Sequence, residues 1–309
     1  MWVDCLGGRL RNPSRTRDQP PAVSVVHNRI GGWNRLRPKL AYVGRGVLNL
    51  IAVLAVGFGC QALIRGRVPE WVGLISLCAV FVASYLAGVR WIERRPPSEF
   101  LARPARTEFP AGLGLGLALF TATMLSLWMF RVYRPSGWGS LVPLAGGFLS
   151  ALSAAILEEI IFRGFLFRLS EKLIGLWGAL ALTSALFGAL HAFNPGATIG
   201  SSVAIALEAG VLLGAAYALK QRLWLPIGLH LGWNFAEGSI FGMSVSGHTK
   251  QGSLIAGTLL GRGLLTGGAF GPENSIVAVV ICFAVALFLL FRTVTTRRQA
   301  KPPVRVAHS

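Results

Sequence analysis

Residues 144–163 read LAGGFLSALSAAILEEIIFR, a long apolar stretch that ends in two adjacent carboxylates and an arginine. No charged residue interrupts positions 138–157, which is the length that an α-helix needs to cross a bilayer core about 30 Å thick. An ionised side chain at mid-membrane costs about 2.5 to 3.5 kcal/mol, so Glu158, Glu159 and Arg163 are expected to be paired or functional. The stretch therefore predicts a membrane helix that carries polar groups for a purpose.

The rest of the chain has the composition of a membrane protein. Of its 309 residues, 53% are hydrophobic and only 14% are charged, whereas a soluble domain carries about a quarter charged residues. Further apolar runs of spanning length predict an all-α, polytopic membrane helical bundle of about eight transmembrane helices. The predicted spans are residues 47–64, 71–89, 111–130, 138–157, 173–190, 197–219, 223–243 and 275–291.

The net charge of +18 is explained by topology. With a cytoplasmic N-terminus, 24 of the 30 Lys and Arg residues fall in segments on the inner side, as the positive-inside rule requires. An even number of spans then places both termini in the cytoplasm, and the Ala-, Gly-, Leu- and Arg-rich composition favours a bacterial inner membrane. No basic helix or aromatic platform accompanies the charge, so nucleic acid is not expected as a partner.

Composition also predicts how the chain is divided. Residues 1–45 are rich in Arg and Pro and lack the apolar core of a signal peptide, so they are interpreted as a disordered cytoplasmic arm. Anionic lipids are expected at both basic tails. The other predicted parts are two N-terminal transmembrane helices at 46–92, a basic linker at 93–110, a catalytic membrane domain at 111–292, a long outer loop at 238–271 and a basic cytoplasmic tail at 293–309.

Several hydrolytic chemistries are excluded by the sequence. The two aspartates, Asp4 and Asp18, lie outside the spans, so an intramembrane aspartyl protease has no catalytic pair. No HExxH motif marks a helical zinc protease, and no GxSxG elbow marks a serine hydrolase. The cysteines have no metal-type spacing.

The first polar group that remains lies at the end of the quoted stretch. Glu159 and Arg163 are four residues apart, so they share a helix face where opposite charges can pair. Glu158 is turned about 100° from that face. We therefore expect one carboxylate to be neutralised by the arginine while its neighbour faces a cavity.

Two later spans carry the other polar groups. Phe187 lies one turn below His191, and His230 shares a face with Asn234, which Glu237 continues. A glutamate in a partly dry pocket can act as a general base toward water, and an amide can stabilise an oxyanion. Alternatively, Glu158, His191 and His230 could hold one Zn²⁺ with a position open for water.

These motifs together resemble a known family. Glu158-Glu159 with Arg163, Phe187 with His191, and His230 with Asn234, in this order, are similar to the three signature motifs of the CPBP intramembrane proteases, also called Abi or CAAX-protease-like. The resemblance covers residues 145–243. It implies a CAAX-protease-like core, and that Glu158 activates the attacking water with help from His191.

The resemblance further implies that His230 and Asn234 stabilise the oxyanion, and that Glu159, Arg163 and Phe187 are architectural. The family has been described both as metalloproteases and as glutamate-type enzymes. We favour the metal-free version, since no additional carboxylate ligand is evident, and expect a peptide or a membrane-anchored protein as substrate.

Two other classes of function stay open at this point. A proton-coupled transporter could use buried Glu and His groups as a relay. A non-proteolytic membrane adaptor or immunity factor could keep the fold without catalysis. Of the remaining acids, Glu237 is expected to be solvated near a loop, and Glu208 is expected to pair with an arginine such as Arg163 or to be protonated.

Overall fold

The computed structural model describes residues 23–248 and 252–299. Residues 42–248 and 252–299 form a bundle of α-helices, which confirms the predicted fold class of a polytopic helical membrane protein. The α-helices are α1 Val23–Ile64, α2 Glu70–Trp91, α3 Ala102–Met129, α4 Pro143–Glu159, α5 Arg168–His191, α6 Ile199–Ile205, α7 Val211–Lys220, α8 Trp224–Phe235, α9 Gly263–Thr266 and α10 Ile276–Gln299.

Among the described residues, six continuous helices are long and apolar enough to cross a membrane. One of these segments, Pro143–His191, contains 49 residues. Its helical geometry is interrupted at Gly175, which has φ 75° and ψ 178°. Helix α8 has only 12 residues before the π-helical residues Ala236–Ile240 begin, so it is too short to cross a membrane as an α-helix alone. The count of eight transmembrane helices therefore stays a prediction.

Within the part of the chain that the structure describes, three segments of wide π-helix interrupt the α-helices. They are Ile160–Phe167 after α4, Ala206–Gly210 between α6 and α7, and Ala236–Ile240 after α8. A π turn adds a residue to the helical turn and is often found at functional sites. Each of these segments directly follows or contains one of the glutamates that the sequence analysis considered.

Two short strands cap one end of the bundle. Strand β1, Tyr133–Trp138, pairs antiparallel with β2, Ile255–Leu259, and a bulge interrupts the register between Pro135 and Gly137. The span predicted to begin at Trp138 begins instead at Pro143, because Trp138 is taken by the strand. The predicted outer loop contains β2 and α9.

Helices α3 and α8 pack closely against each other. Glycines on both helices let the backbones touch, since a Cβ on any of them would lie 2.1 to 2.3 Å from a carbonyl oxygen of the other helix. Such contacts fix the position of α8, which carries His230. The glycines are Gly112 and Gly116 on α3 and Gly228 and Gly232 on α8.

Helix ends fall inside three of the predicted segments, whose limits as domains stay predictions. Helix α1 begins at Val23, within the arm expected to be disordered through residue 45. Helix α3 begins at Ala102, so it takes up the second half of the linker expected at 93–110. Helix α10 continues through Gln299 into the expected tail. Residues 1–22 and 300–309 of the predicted arm and tail lie outside the described residues.

Candidate active site

Glu158 and Glu159 at the end of α4 have different environments. Glu159 is fully buried, and its Oε1 accepts hydrogen bonds from Arg163 Nη1 at 2.9 Å and from His230 Nδ1 at 3.0 Å. The Glu158 side chain is 30% exposed. Its Oε2 lies 3.9 Å from Nε2 of His230 and has no hydrogen-bond partner. The structure thus places Glu159 in the ion pair and leaves Glu158 unpaired, as their positions on the helix predict.

Arg163 lies in the interior of the bundle, with 1% of its surface exposed. Besides the ion pair with Glu159, its Nη2 donates to the carbonyl oxygen of Gly210 at 3.2 Å. The guanidinium also lies 4.9 Å from the ring centre of Phe187, within the range of a cation–π contact. A buried charge without partners is costly, and these contacts supply the partners of the guanidinium. They also connect the π segment after α4, which contains Arg163, to the π segment before α7, which contains Gly210.

His230 is positioned between the two glutamates. Its Nδ1 carries the proton that it donates to Glu159, so Nε2 is directed to the side of Glu158. A carboxylate that accepts from the far nitrogen of an imidazole fixes the tautomer and the orientation of the ring.

His191 ends α5 and is oriented by the helix beneath it. Its Nδ1 donates to the carbonyl oxygen of Phe187 at 2.7 Å, which leaves Nε2 free. The two rings lie 4.6 Å apart between their centres, and Phe187 itself is buried against Phe162 at 4.8 Å. Phe187 therefore supports His191 from below, and it contacts the cationic Arg163 on the same ring.

The four predicted catalytic residues meet in one cavity. Glu158, His191, His230 and Asn234 all line a space of 440 Å³ between α4, α5 and α8. Three polar residues from loops also line this cavity. The sequence patterns did not indicate them as site residues. They are Asn194, Ser246 and His248.

The cavity gives a water molecule room beside Glu158. Two polar atoms separated by more than 3.5 Å are commonly bridged by water, and the distance of 3.9 Å between Glu158 Oε2 and His230 Nε2 fits such a bridge. The unpartnered carboxylate oxygen then has a donor, which a buried acceptor requires. The arrangement can hold and polarise a water molecule.

Three further carboxylates lie behind this site, and one of them corrects an expectation. Glu237 was expected to be solvated, but it is fully buried because the loop 267–274 covers it. Glu208 does not pair with Arg163, which is taken by Glu159; it lies beside Cys282 instead. The third carboxylate, Glu273, was not singled out, and it is 2% exposed next to Glu237.

A second, smaller cavity of 30 Å³ connects two of these acids, Glu208 and Glu273, to the site. His191, His230, Asn234 and Ser246 line both cavities, while Glu208 and Glu273 line only the smaller one. Its volume and polar lining suit one or two buried water molecules.

Glu273 lies in the loop that closes this region. Burial raises the pKa of the Glu273 carboxyl above its ordinary value, although hydrogen bonds from Ser246 and the nearby imidazole of His191 oppose that rise. One of its oxygens, Oε1, has no hydrogen-bond partner.

The possible metal site was tested on the donor groups. Across residues 23–248 and 252–299, no group of three or more His, Cys, Asp or Glu side chains is arranged to hold a metal ion. Both histidines of the alternative zinc set use Nδ1 in hydrogen bonds, and each leaves one nitrogen for other contacts.

Comparison with known proteins agrees with the three motifs. Residues 138–236, about a third of the chain, match a family model. That model describes type II CAAX prenyl endopeptidases, Rce1-like. The match contains Glu158, His191, His230 and Asn234, and it confirms the resemblance to CAAX-protease-like proteins. Glu237, Ser246 and His248 follow the matched segment, whereas Asn194 lies within it.

Neither a curated protein nor a solved structure matches the chain. The family match and the apolar helices together indicate that the chain is a multi-pass integral membrane protein. It resembles a family of intramembrane proteases.

Proposed function

We propose that this protein is an intramembrane endopeptidase of the CAAX type in which Glu158 activates water for attack on a peptide bond. The observation that carries the proposal is the meeting of Glu158, His191, His230 and Asn234 around one cavity, with an unpartnered Glu158 oxygen in it. A peptide or a membrane-anchored protein is the proposed substrate.

The first step is the attack of water. Glu158 accepts a proton from the water molecule, and the resulting hydroxide adds to the carbonyl carbon of the substrate. The free Nε2 of His191 can accept the other hydrogen of this water molecule and so orient it. A general base of this kind contributes about 10²- to 10⁴-fold to the rate.

The negative charge that develops on the carbonyl oxygen needs donors. His230, when protonated, offers Nε2–H, because Glu159 already accepts from Nδ1. Asn234 offers its side-chain NH2 from the same face of α8. One such donor contributes about 10²- to 10³-fold to turnover. The C–N bond then breaks as Glu158 returns its proton to the leaving amine, so the reaction needs no external proton donor.

No metal is required by this sequence of steps. The proposed glutamate-type mechanism uses Glu158 as the base, and a glutamate that bound a metal through the same oxygen would lose that role. Cleavage after exhaustive chelation distinguishes it from the metal-dependent version, which would lose activity.

The test is a single isosteric substitution in the full chain. Glu158→Gln keeps the size of the side chain but removes the base, so cleavage of a membrane-anchored reporter should fall by at least 10²-fold. Membrane insertion and the unfolding temperature should stay those of the wild type, since Glu158 makes no ion pair with an arginine. Cleavage at the wild-type rate would refute the catalytic assignment.

A matched control is available on α2. Glu70 is exposed at the first turn of that helix and does not line the active-site cavity. Glu70→Gln removes the same charge and should leave cleavage unchanged. Loss of activity in both variants would show that charge removal acts through something other than the proposed base.

A further inference from the structure

We infer that the active-site cavity opens on the extracytoplasmic side of the membrane, so that the substrate is a peptide segment presented from that side. This inference rests on the proposed function, because it assigns the side from which the same cavity receives its substrate. It is carried by three observations: where the cavity opens, how its other end is closed, and where the basic residues lie.

The open end of the cavity is formed by loops. Asn194 follows α5, and Ser246 and His248 follow the π segment after α8; all three line the cavity, and His248 is exposed. The two loops meet directly, since a Cβ on Gly247 would lie 1.9 Å from the carbonyl oxygen of Pro195. We call this end of the bundle the cavity face. It also carries the strands β1 and β2.

Aromatic packing closes the bundle on the other side of the site. The rings of Phe167 and Tyr217 lie 5.4 Å apart, and those of Phe165 and Tyr85 lie 5.1 Å apart. All four side chains are at most 1% exposed. An extended peptide therefore has no path through this layer, and it can reach Glu158 only from the cavity face or laterally from the lipid.

The end beyond that layer is held together by ion pairs between helix ends. Arg168 pairs with Glu93 at 2.8 Å, and Arg297 pairs with Glu171 at 2.6 Å. Arg222, which follows α7, pairs with Glu108 near the start of α3. We call this end the basic face.

Lysine and arginine residues are distributed unequally between the two faces. The cavity face carries Arg65, Arg67, Arg131, Arg134 and Arg262 in its described part. The basic face carries more than twice as many, namely Arg45, Arg90, Arg94, Arg95, Arg103, Arg106, Arg168, Lys172, Lys220, Arg222, Arg292, Arg297 and Arg298.

This inequality sets the orientation. Segments that carry an excess of Lys and Arg near the ends of membrane helices are retained in the cytoplasm. The basic face is thereby assigned to the cytoplasm, and the cavity face lies on the opposite side of the membrane. A segment that stays in the cytoplasm, such as the C-terminus of a cytosolic protein, would not reach the open end of this site.

Cysteine labelling in intact cells tests the orientation independently of activity. His248→Cys reports on the cavity face and Lys172→Cys on the basic face; both side chains are exposed. The background carries Cys5→Ser, Cys60→Ser and Cys78→Ser and keeps only the buried Cys282. A membrane-impermeant maleimide should label His248→Cys in intact cells and label Lys172→Cys only after permeabilisation. The reverse pattern would overturn the inference.

A pair of reporters tests the substrate side. The same cleavable segment is placed either before or after one membrane anchor, so that it faces opposite sides. Wild-type protein should cut only the extracytoplasmic version, and Glu158→Gln should cut neither. Cleavage of only the cytoplasmic version would overturn this inference and leave the proposed function standing. If neither reporter is cut while labelling shows the expected pattern, the proposed function and its substrate side fail, but the orientation holds.

Discussion

Glu159 and His230 are joined by a hydrogen bond of 3.0 Å, and the carboxylate oxygen that accepts it also accepts from Arg163 at 2.9 Å. One buried oxygen atom thus connects residues that are 71 positions apart in the chain. It neutralises a buried arginine and at the same time fixes the tautomer of the imidazole that faces the cavity. Stability and the geometry of the site therefore depend on the same contact.

This shared contact predicts a large effect of Glu159→Gln. Removing one partner of a buried ion pair leaves the other uncompensated and costs about 3 to 5 kcal/mol. Cleavage should also fall, because His230 loses the carboxylate that orients it. The measurements are the unfolding temperature in detergent micelles and the rate of reporter cleavage.

The control for Glu159→Gln is a surface ion pair. Glu171 pairs with Arg297 at 2.6 Å, but the arginine side chain is 40% exposed. Exposed pairs contribute about 0.2 to 1 kcal/mol, so Glu171→Gln should change stability little and leave activity intact. Equal loss of stability in the two variants would contradict the structural role given to Glu159.

The contact between α3 and α8 predicts a position-specific effect of alanine. A Cβ at Gly116 would lie 2.1 Å from the carbonyl oxygen of Leu229, which precedes His230. Helix α8 must then shift, and overpacking of this kind costs about 1 to 3 kcal/mol. We expect Gly116→Ala to lower both the unfolding temperature and the cleavage rate.

Gly114 on the same helix gives the matched comparison. A Cβ there meets nothing within 4 Å, and alanine is favoured over glycine in a helix by about 0.5 to 1 kcal/mol. Gly114→Ala should therefore be neutral or slightly stabilising. A normal cleavage rate in Gly116→Ala would mean that α8 does not need this close approach to position His230.

Phe187 supports His191 and contacts Arg163, so its truncation should affect folding and catalysis together. Phe187→Ala removes a buried ring and should cost about 3 to 5 kcal/mol. Phe187→Leu restores much of the volume but not the ring that packs against His191. The unfolding temperature should be highest for the wild type, lower for Phe187→Leu and lowest for Phe187→Ala. If Phe187→Leu is as unstable as Phe187→Ala, the lost volume is not the cause of the destabilisation.

The basic face predicts a dependence of stability on pH. Burial alone would raise the pKa of Glu93, but Arg168 and hydrogen bonds from Asn49 and Arg95 outweigh burial and lower it below its ordinary value. A lowered pKa in the folded state stabilises the protein above the ordinary value of about 4.3, and this contribution is lost as pH falls through the lowered pKa.

The measurement is the difference in unfolding temperature between wild type and Glu93→Gln from neutral to acidic pH. That difference should be largest near pH 7 and should shrink on acidification below about pH 4. A constant difference for Glu93→Gln would contradict the lowered pKa.

Removal of metal ions distinguishes the two versions of the protease. The proposed glutamate-type mechanism predicts that exhaustive chelation leaves reporter cleavage unchanged. Activity that is lost on chelation and restored by Zn²⁺ alone would reject the metal-free mechanism and favour Glu158, His191 and His230 as ligands.

Hydropathy and helical spacing were enough to predict much of the fold and part of the site. The apolar runs predict the helices because a helix that crosses a bilayer needs about 20 consecutive apolar residues. The four-residue spacing of Glu159 and Arg163 predicts their pairing. The 100° rotation between Glu158 and Glu159 predicts the different surroundings of the two carboxylates. These are local properties that depend only on residues within one helix.

The residues supplied by loops were not predictable in the same way. Glu237 precedes a loop and was expected to be solvated, but the loop 267–274 folds back over it, which no periodic pattern shows. Ser246, His248 and Glu273 reach the site from segments without helical spacing. The sequence feature that could have indicated these residues is the glycines beside them. Gly247 and Gly271 have positive φ and approach neighbouring backbone closely, which is typical of loops that pack against the protein.

The π segments have a consequence for how residues are counted along these helices. Ideal α-helices advance 100° per residue, and each wide turn inserts an offset that every later side chain inherits. Deleting one residue from Ile160–Phe167 would cancel that offset and rotate the following part of the helix by about a quarter turn. Arg168 would then turn away from its partner Glu93, which follows α2. The number of residues between Glu159 and Arg168 is thus as much a determinant of the architecture as their identity, and helical-wheel comparisons across this segment must include the extra residue.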